Sequence, residues 1–173
     1  MLNQYFWIME KKWYAIYTRP RWEKKVDKLL NEKGMESYCP LQKIQRQWSD
    51  RKKIVEEPLF KSYVFVRISD EEQTALRMVN GVVNFVYWMG KPAIVKDKEI
   101  QIIRQFMNEY DNVEVTQMPI EAGSKVEVQS GVLMGKSGTV KQVLHKKVEV
   151  FIESIGFTLT AYVEKSKIRL LEK

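Results

Sequence analysis

Along its first hundred residues the chain alternates between strand-like and helix-like spacing of its apolar positions. Trp13-Tyr14-Ala15-Ile16-Tyr17 is an aromatic and branched run that predicts a strand. After Pro20, the residues Trp22, Val26, Leu29 and Leu30 recur at helical spacing, and Gly34 stands where a C-terminal cap belongs. A helix opening at Pro20 is expected, with Arg21, Lys24, Lys25 and Lys28 on its polar face. A second strand is expected over residues 35–40, then a polar, basic stretch over residues 42–53 that reads as a hairpin near nucleic acid. An aromatic strand over residues 59–68 follows. Its Tyr63 and Phe65 point one way with Arg67, while Val64, Val66 and Ile68 point the other. Both faces are apolar, so the pattern allows a strand buried on both sides or an aromatic patch open to a partner.

Ser69-Asp70-Glu71-Glu72 has the capping-box arrangement, predicting a helix over residues 70–79 that stops at Gly81. Residues 82–88 predict a strand and Met89-Gly90-Lys91-Pro92 a turn. Asp97 can cap a last helix with Ile100, Ile103 and Met107 on one face. The order β-α-β-β-α-β-α predicts an α+β N-terminal domain over residues 10–110, an antiparallel sheet with packed helices. Residues 111–121 lack sustained periodicity and contain Pro119, so they read as a linker. Short apolar runs at 126–128, 138–140, 148–152, 157–163 and 168–171 then predict five strands over residues 122–173. A closed barrel is expected, because a flat sheet of that size buries too little surface.

Charge narrows the function. Of 173 residues, 29 are Lys or Arg against 22 acids, a net charge of +7 that suits a polyanionic partner. The excess is local. Five basic residues between Arg19 and Lys28 face only Glu23 and Asp27, and five between Lys43 and Lys53 face only Asp50. The single Cys39 excludes a disulfide framework and a Cys-rich metal site, and reads as a small buried hydrophobe. The lone His145 falls in a turn without a neighbouring nucleophile or ligand cluster. Neither a phosphate-binding Gly-Lys loop nor a dinucleotide fingerprint is present, so neither enzyme activity nor a cofactor or metal is expected. The first nine residues lack the basic segment and apolar length of a secretory signal, and no run reaches the roughly 20 apolar residues of a membrane span. A cytoplasmic monomer is expected, starting at Met1 or Met9.

The Trp13-Tyr14 strand, the basic first helix, Pro58-Leu59-Phe60 through Phe65, Gly81-Val82-Val83-Asn84-Phe85-Val86 and Pro92-Ala93-Ile94-Val95 together resemble the N-terminal domain of NusG-type transcription elongation factors. Gly123, Val126, Val128, Gly131, Gly135, Gly138 and Val140 resemble the spacing of that family's KOW domain, an SH3-like barrel. Val55-Glu56-Glu57-Pro58-Leu59-Phe60 with Pro92-Ala93-Ile94-Val95 is closer to the specialised RfaH-like paralogues, antiterminators recruited to particular long operons, often for surface polysaccharides. The resemblance implies that Tyr63 and Phe65, with Phe60 nearby, form an exposed patch that docks on the clamp helices of the largest RNA polymerase subunit. It implies contact of Arg19 with non-template or upstream DNA, alongside Arg21, Lys24 and Lys25. For the barrel it implies binding of a ribosomal protein or termination factor through Leu133, Met134 and Ile155, whose other reading is barrel core. Some such paralogues refold the barrel into helices; here the Val, Ile, Thr and Phe content of residues 139–163 favours strands.

Two departures from the family's pattern stand in this chain. Lys61-Ser62 replaces the usual Pro-Gly or Pro-Asn before the aromatic strand. Glu72-Gln73-Thr74 replaces the His-Thr-Thr with which RfaH-like proteins touch a second polymerase element. The rival class is a KOW-type RNA-binding or ribosome-associated protein that needs no polymerase.

Overall fold

The computed structural model describes residues 10–117 and 147–162. They fall into two compact units that interleave in sequence, the first holding residues 10–39 and 61–97, the second residues 40–60, 98–117 and 147–162.

In the first unit, β1 (Lys12–Thr18), β2 (Glu36–Tyr38), β5 (Tyr63–Ile68) and β6 (Val82–Phe85) form an antiparallel sheet in the order β2-β5-β1-β6, and β9 (Ile94–Val95) extends the β6 side of β1. Helices α1 (Glu23–Glu32) and α2 (Gln73–Arg77) belong to the same unit. Tyr14, Ile16, Val64, Val66, Ile68 and Phe85 pack with Val26 and Leu30 of α1 and Leu76 of α2 into one core. This is the alternate set that period-two spacing assigned to one face. Burying each such side chain contributes on the order of 2 kcal/mol.

The opposite face is largely covered in this structure, where the resemblance implied an open aromatic patch. Phe65 is 0% exposed and lies beside Ala15 and Tyr38 in register, and Trp13 and Val95 on the same face are buried too. A central strand with apolar residues on both faces loses least by covering both, which is the first of the two readings its pattern allowed. Only at the end of β5 does the face open, at Tyr63 and its cross-strand partner Tyr17.

Several boundaries also move. The helix does not open at Pro20: Arg21 sits at φ 65°, a left-handed conformation that interrupts any helical run, and α1 starts at Glu23. The expected strand over residues 59–68 is shortened because Leu59 to Ser62 turn the chain, with Ser62 at φ 64°. The second helix keeps only Gln73–Arg77, although Glu72 does reach back to the Ser69 N–H at 2.8 Å as a capping box requires. The strand expected over residues 82–88 splits into β6 and β7 (Tyr87–Trp88). The latter pairs with β8 (Lys91–Pro92) across a turn in which Met89 and Gly90 both have positive φ.

In the second unit, β3 (Leu41–Gln47) and β4 (Lys52–Pro58) form a separate two-stranded antiparallel sheet. Helix α3 (Asp97–Glu109) buries Ile100, Ile102, Ile103 and Phe106. Strands β10 (Glu114–Gln117), β11 (Lys147–Ile152) and β12 (Phe157–Tyr162) make a three-stranded antiparallel sheet in the order β10-β12-β11. Thus a strand forms inside the span that reads as a linker, and two of the five strands expected of the barrel are present as strands; the other three lie outside the described residues. Phe60 is also buried, 2% exposed, with its ring edge-on to Phe157 at 5.4 Å. An apolar ring gains more from such an aromatic neighbour than from water.

Candidate functional site

The open end of the β1–β5 pair carries an aromatic couple. Tyr17 and Tyr63 lie opposite each other in register with ring centroids 4.8 Å apart, and the Tyr63 hydroxyl donates to that of Tyr17 at 3.3 Å. Tyr17 is 37% exposed and Tyr63 is half-buried. Burial, then the bond to Tyr17, pushes the Tyr63 phenol well above its ordinary range, so Tyr63 is neutral at any physiological pH. Two aromatic side chains tilted against each other, with polar tips, are the kind of surface that anchors a protein partner.

The turn before Tyr63 is fixed by a residue that sequence reasoning counted only as a stray negative charge. Glu23, the first residue of α1, is buried, and its Oε1 accepts the Ser62 N–H at 2.6 Å. Thr18 N–H donates to the Ser62 carbonyl at 2.9 Å. Lys61-Ser62 therefore keeps a left-handed turn residue where the family's Gly or Asn would adopt one more readily, and a charged hydrogen bond holds it there. The signal available in the sequence was an acid at the first position of a helix, which is usually explained by the helix dipole alone.

Immediately beyond Tyr17, the chain presents the predicted cations. Arg19, Arg21, Lys24 and Lys25 are all exposed. Two of them lie over Trp22: the Arg19 guanidinium is 5.4 Å and the Lys25 ammonium 4.0 Å from its ring centroid. Trp22 is half-buried against the core, so the indole serves as the floor of the basic surface rather than as a free stacking platform. Gly81 makes this seat possible. At φ +94°, it approaches so closely that a Cβ there would meet Trp22 Cε3 at 2.5 Å and Val26 Cγ2 at 2.8 Å, and its carbonyl accepts the Arg19 N–H at 2.9 Å. The structure thus brings Arg19, Arg21, Lys24 and Lys25 together in one unit with Tyr63, while Phe65 lies beneath the surface.

These features can be set against known proteins. A family model described as "Transcription termination factor nusG" matches residues 11–104, more than half of the chain and almost all of the first unit. The chain belongs to the NusG family. Among its relatives, the transcription termination/antitermination protein NusG of Chlamydia pneumoniae is 27% identical over 147 residues, covering 79% of this chain and 80% of the relative. The protein of the same description from Streptococcus pyogenes serotype M1 is 26% identical over 173 residues, covering 92% and 96% respectively. A solved structure concerned with domain interaction in Thermotoga maritima NusG aligns with a TM-score of 0.51 at 27% identity, across 95% of this chain and 99% of that one. The NusG family is one of transcription termination and antitermination factors rather than of enzymes, and this chain is such a factor.

In this NusG-family chain, Ile155 is half-buried in a short 3-10 turn, Glu153–Ile155. Buried Glu99 of α3 holds that turn: its carboxylate accepts the Ser154 N–H at 3.0 Å and the Ser154 hydroxyl. Leu133 and Met134 lie outside the described residues. Among the described residues no group of three His, Cys, Asp or Glu side chains could hold a metal ion, and no helix is long and apolar enough to cross a membrane.

Proposed function

We propose that this protein is an operon-specific antiterminator, of the kind that serves polysaccharide genes, acting in the cytoplasm on elongating RNA polymerase. The Tyr17–Tyr63 couple at the open end of β5 is the observation that carries this reading: it is a partly exposed aromatic surface closely followed by exposed Arg19. In the proposal Tyr63 anchors the clamp helices of the largest polymerase subunit, and Phe60 and Phe65 join it only in a conformation that uncovers them. Arg19, Arg21, Lys24 and Lys25 hold non-template or upstream DNA. Binding the closed clamp better than the open one biases an existing equilibrium away from pausing and termination. An N-terminal domain over residues 10–110 carries this contact. A KOW domain over residues 122–173, closed as a five-stranded barrel, engages a ribosomal protein or termination factor through Leu133, Met134 and Ile155.

Purified protein is added to elongation complexes and terminator read-through is followed on the same template. Binding with more read-through is expected, and Tyr63→Ala should weaken it by roughly thirtyfold, the effect of losing a central aromatic anchor. Binding with more termination would reverse the regulatory sign. An absence of polymerase binding together with association with ribosomes or RNA would replace the reading by that of a KOW-type RNA-binding protein.

A further inference from the structure

We infer that the turn of the β3–β4 hairpin is a second nucleic-acid site, one that grips an unpaired strand by stacking a base on Trp48 and holding its phosphates with Arg51, Lys52 and Lys53. This goes beyond the polymerase reading and does not depend on it, since the site needs only a free oligonucleotide.

The hairpin is built for presentation rather than for packing. No residue from Leu41 to Pro58 is buried, and β3 and β4 pair with no third strand among the described residues. The Trp48 N–H donates to the Arg51 carbonyl at 2.8 Å and closes the four-residue turn Trp48-Ser49-Asp50-Arg51, which fixes where the indole stands. An indole that ends up 50% exposed at a turn is unusual for so large an apolar side chain, and it loses the burial that normally justifies its presence.

One cation lies over that ring. The Lys53 ammonium lies 5.1 Å from the Trp48 ring centroid, and register places Lys53 opposite Arg46 on one face and Lys52 opposite Gln47 on the other. Arg46 is committed elsewhere: Glu57 binds its Nη2 at 2.5 Å and its Nε at 2.7 Å. Arg51, Lys52 and Lys53 have no ion-pair partner among the described residues, and Asp50 is the only acid between Lys43 and Lys53. Three consecutive cations without an ion-pair partner, in and beside the turn that carries a half-exposed indole, match the two requirements of single-strand binding, a positive track for the backbone and an aromatic face for a base. A duplex offers phosphates but no free base face, and an acidic protein offers charge but nothing that needs the ring.

The test uses the full-length protein, fluorescein-labelled twelve-nucleotide oligo(dT) and oligo(U), and a duplex of equal length, with anisotropy read across a salt series. Both single strands should bind more tightly than the duplex, and the difference between the two shows whether the sugar matters. Trp48→Ala should weaken single-strand binding about tenfold while Trp48→Phe retains most of it, because one stacked base accounts for roughly five- to a hundredfold. Replacing Arg51, Lys52 and Lys53 with Gln should lower the slope of log affinity against log salt by about 2, at roughly 0.7 per lost phosphate contact. Equal binding of duplex and single strands with no effect of Trp48→Ala would overturn the inference in favour of unspecific charge attraction. So would loss of binding in an Arg19, Arg21, Lys24 triple Ala variant with the hairpin variants unaffected, or no binding at all. Circular dichroism of each variant excludes misfolding as the cause.

Discussion

At the scale of single residues, the pattern of burial decides which side chains titrate. Cys39 is buried in the first unit, and burial first, then the nearby carboxylates of Asp27 and Glu23, pushes its thiol up to about 12 from an ordinary 9.0. The folded protein therefore keeps a proton that the unfolded chain releases, so stability is unaffected below pH 9 and falls as pH rises from 9 towards 12. The slope contributed by this one group approaches about 1.4 kcal/mol per pH unit. Urea midpoints measured from pH 8 to 10.5 should fall for the native protein and fall less steeply for Cys39→Ala. Equal slopes would mean that Cys39 is not held protonated. Alkylation of the native protein at neutral pH should be slow for the same reason, since the thiolate is the reactive form.

At the scale of elements, the meeting of α1 with the loop before β6 carries the site, and Gly81 is its tightest point. Gly81→Ala adds both a strained φ and a clash with Trp22 and Val26, and should destabilise the fold by about 2 to 4 kcal/mol, read from a lower urea midpoint at unchanged m-value. A loss below 0.5 kcal/mol would mean that the Trp22 seat is loose. The sequence announced Gly81 as a stop but not as a close approach, because spacing reveals conformation more readily than tertiary neighbours. The same limit explains the other differences. The aromatic and branched runs gave β1 almost to the residue and β5 to its end at Ile68, and Gly34, at φ 77°, closes α1 where expected. The start of α1 was misjudged because Pro20 satisfies the rule for a first helical residue while the left-handed Arg21 cannot be foreseen from its type. Whether Phe65 faced solvent was undecidable from alternation, since both faces of β5 are apolar. Glu23 escaped notice because its partner Ser62 is distant in sequence and offers a backbone N–H, which no residue type advertises.

For the whole molecule, the basic surface beside an aromatic couple makes a statement about conditions as much as about partners. Replacing Arg19, Arg21 and Lys24 with Ala should weaken binding to elongation complexes that display non-template DNA more than binding to free polymerase, and should flatten the salt dependence of the former. An equal loss on both would assign these cations to a protein contact. The four clustered cations were legible as a charge run, and the structure adds that Arg19 and Lys25 share the Trp22 floor. Of Leu133, Met134 and Ile155 only Ile155 lies among the described residues, and its turn is held by Glu99, a residue that the sequence offered merely as part of a helix.

The hairpin from Leu41 to Pro58 has one more consequence. Because none of its residues is buried, its amides should exchange with solvent by local opening, long before those of β1 or β5, which open only with the core. Substitutions in it are thereby decoupled from folding stability. Relatives built on the same core can exchange this segment wholesale, and a chimaera carrying another hairpin would change what is read without having to learn again how to fold.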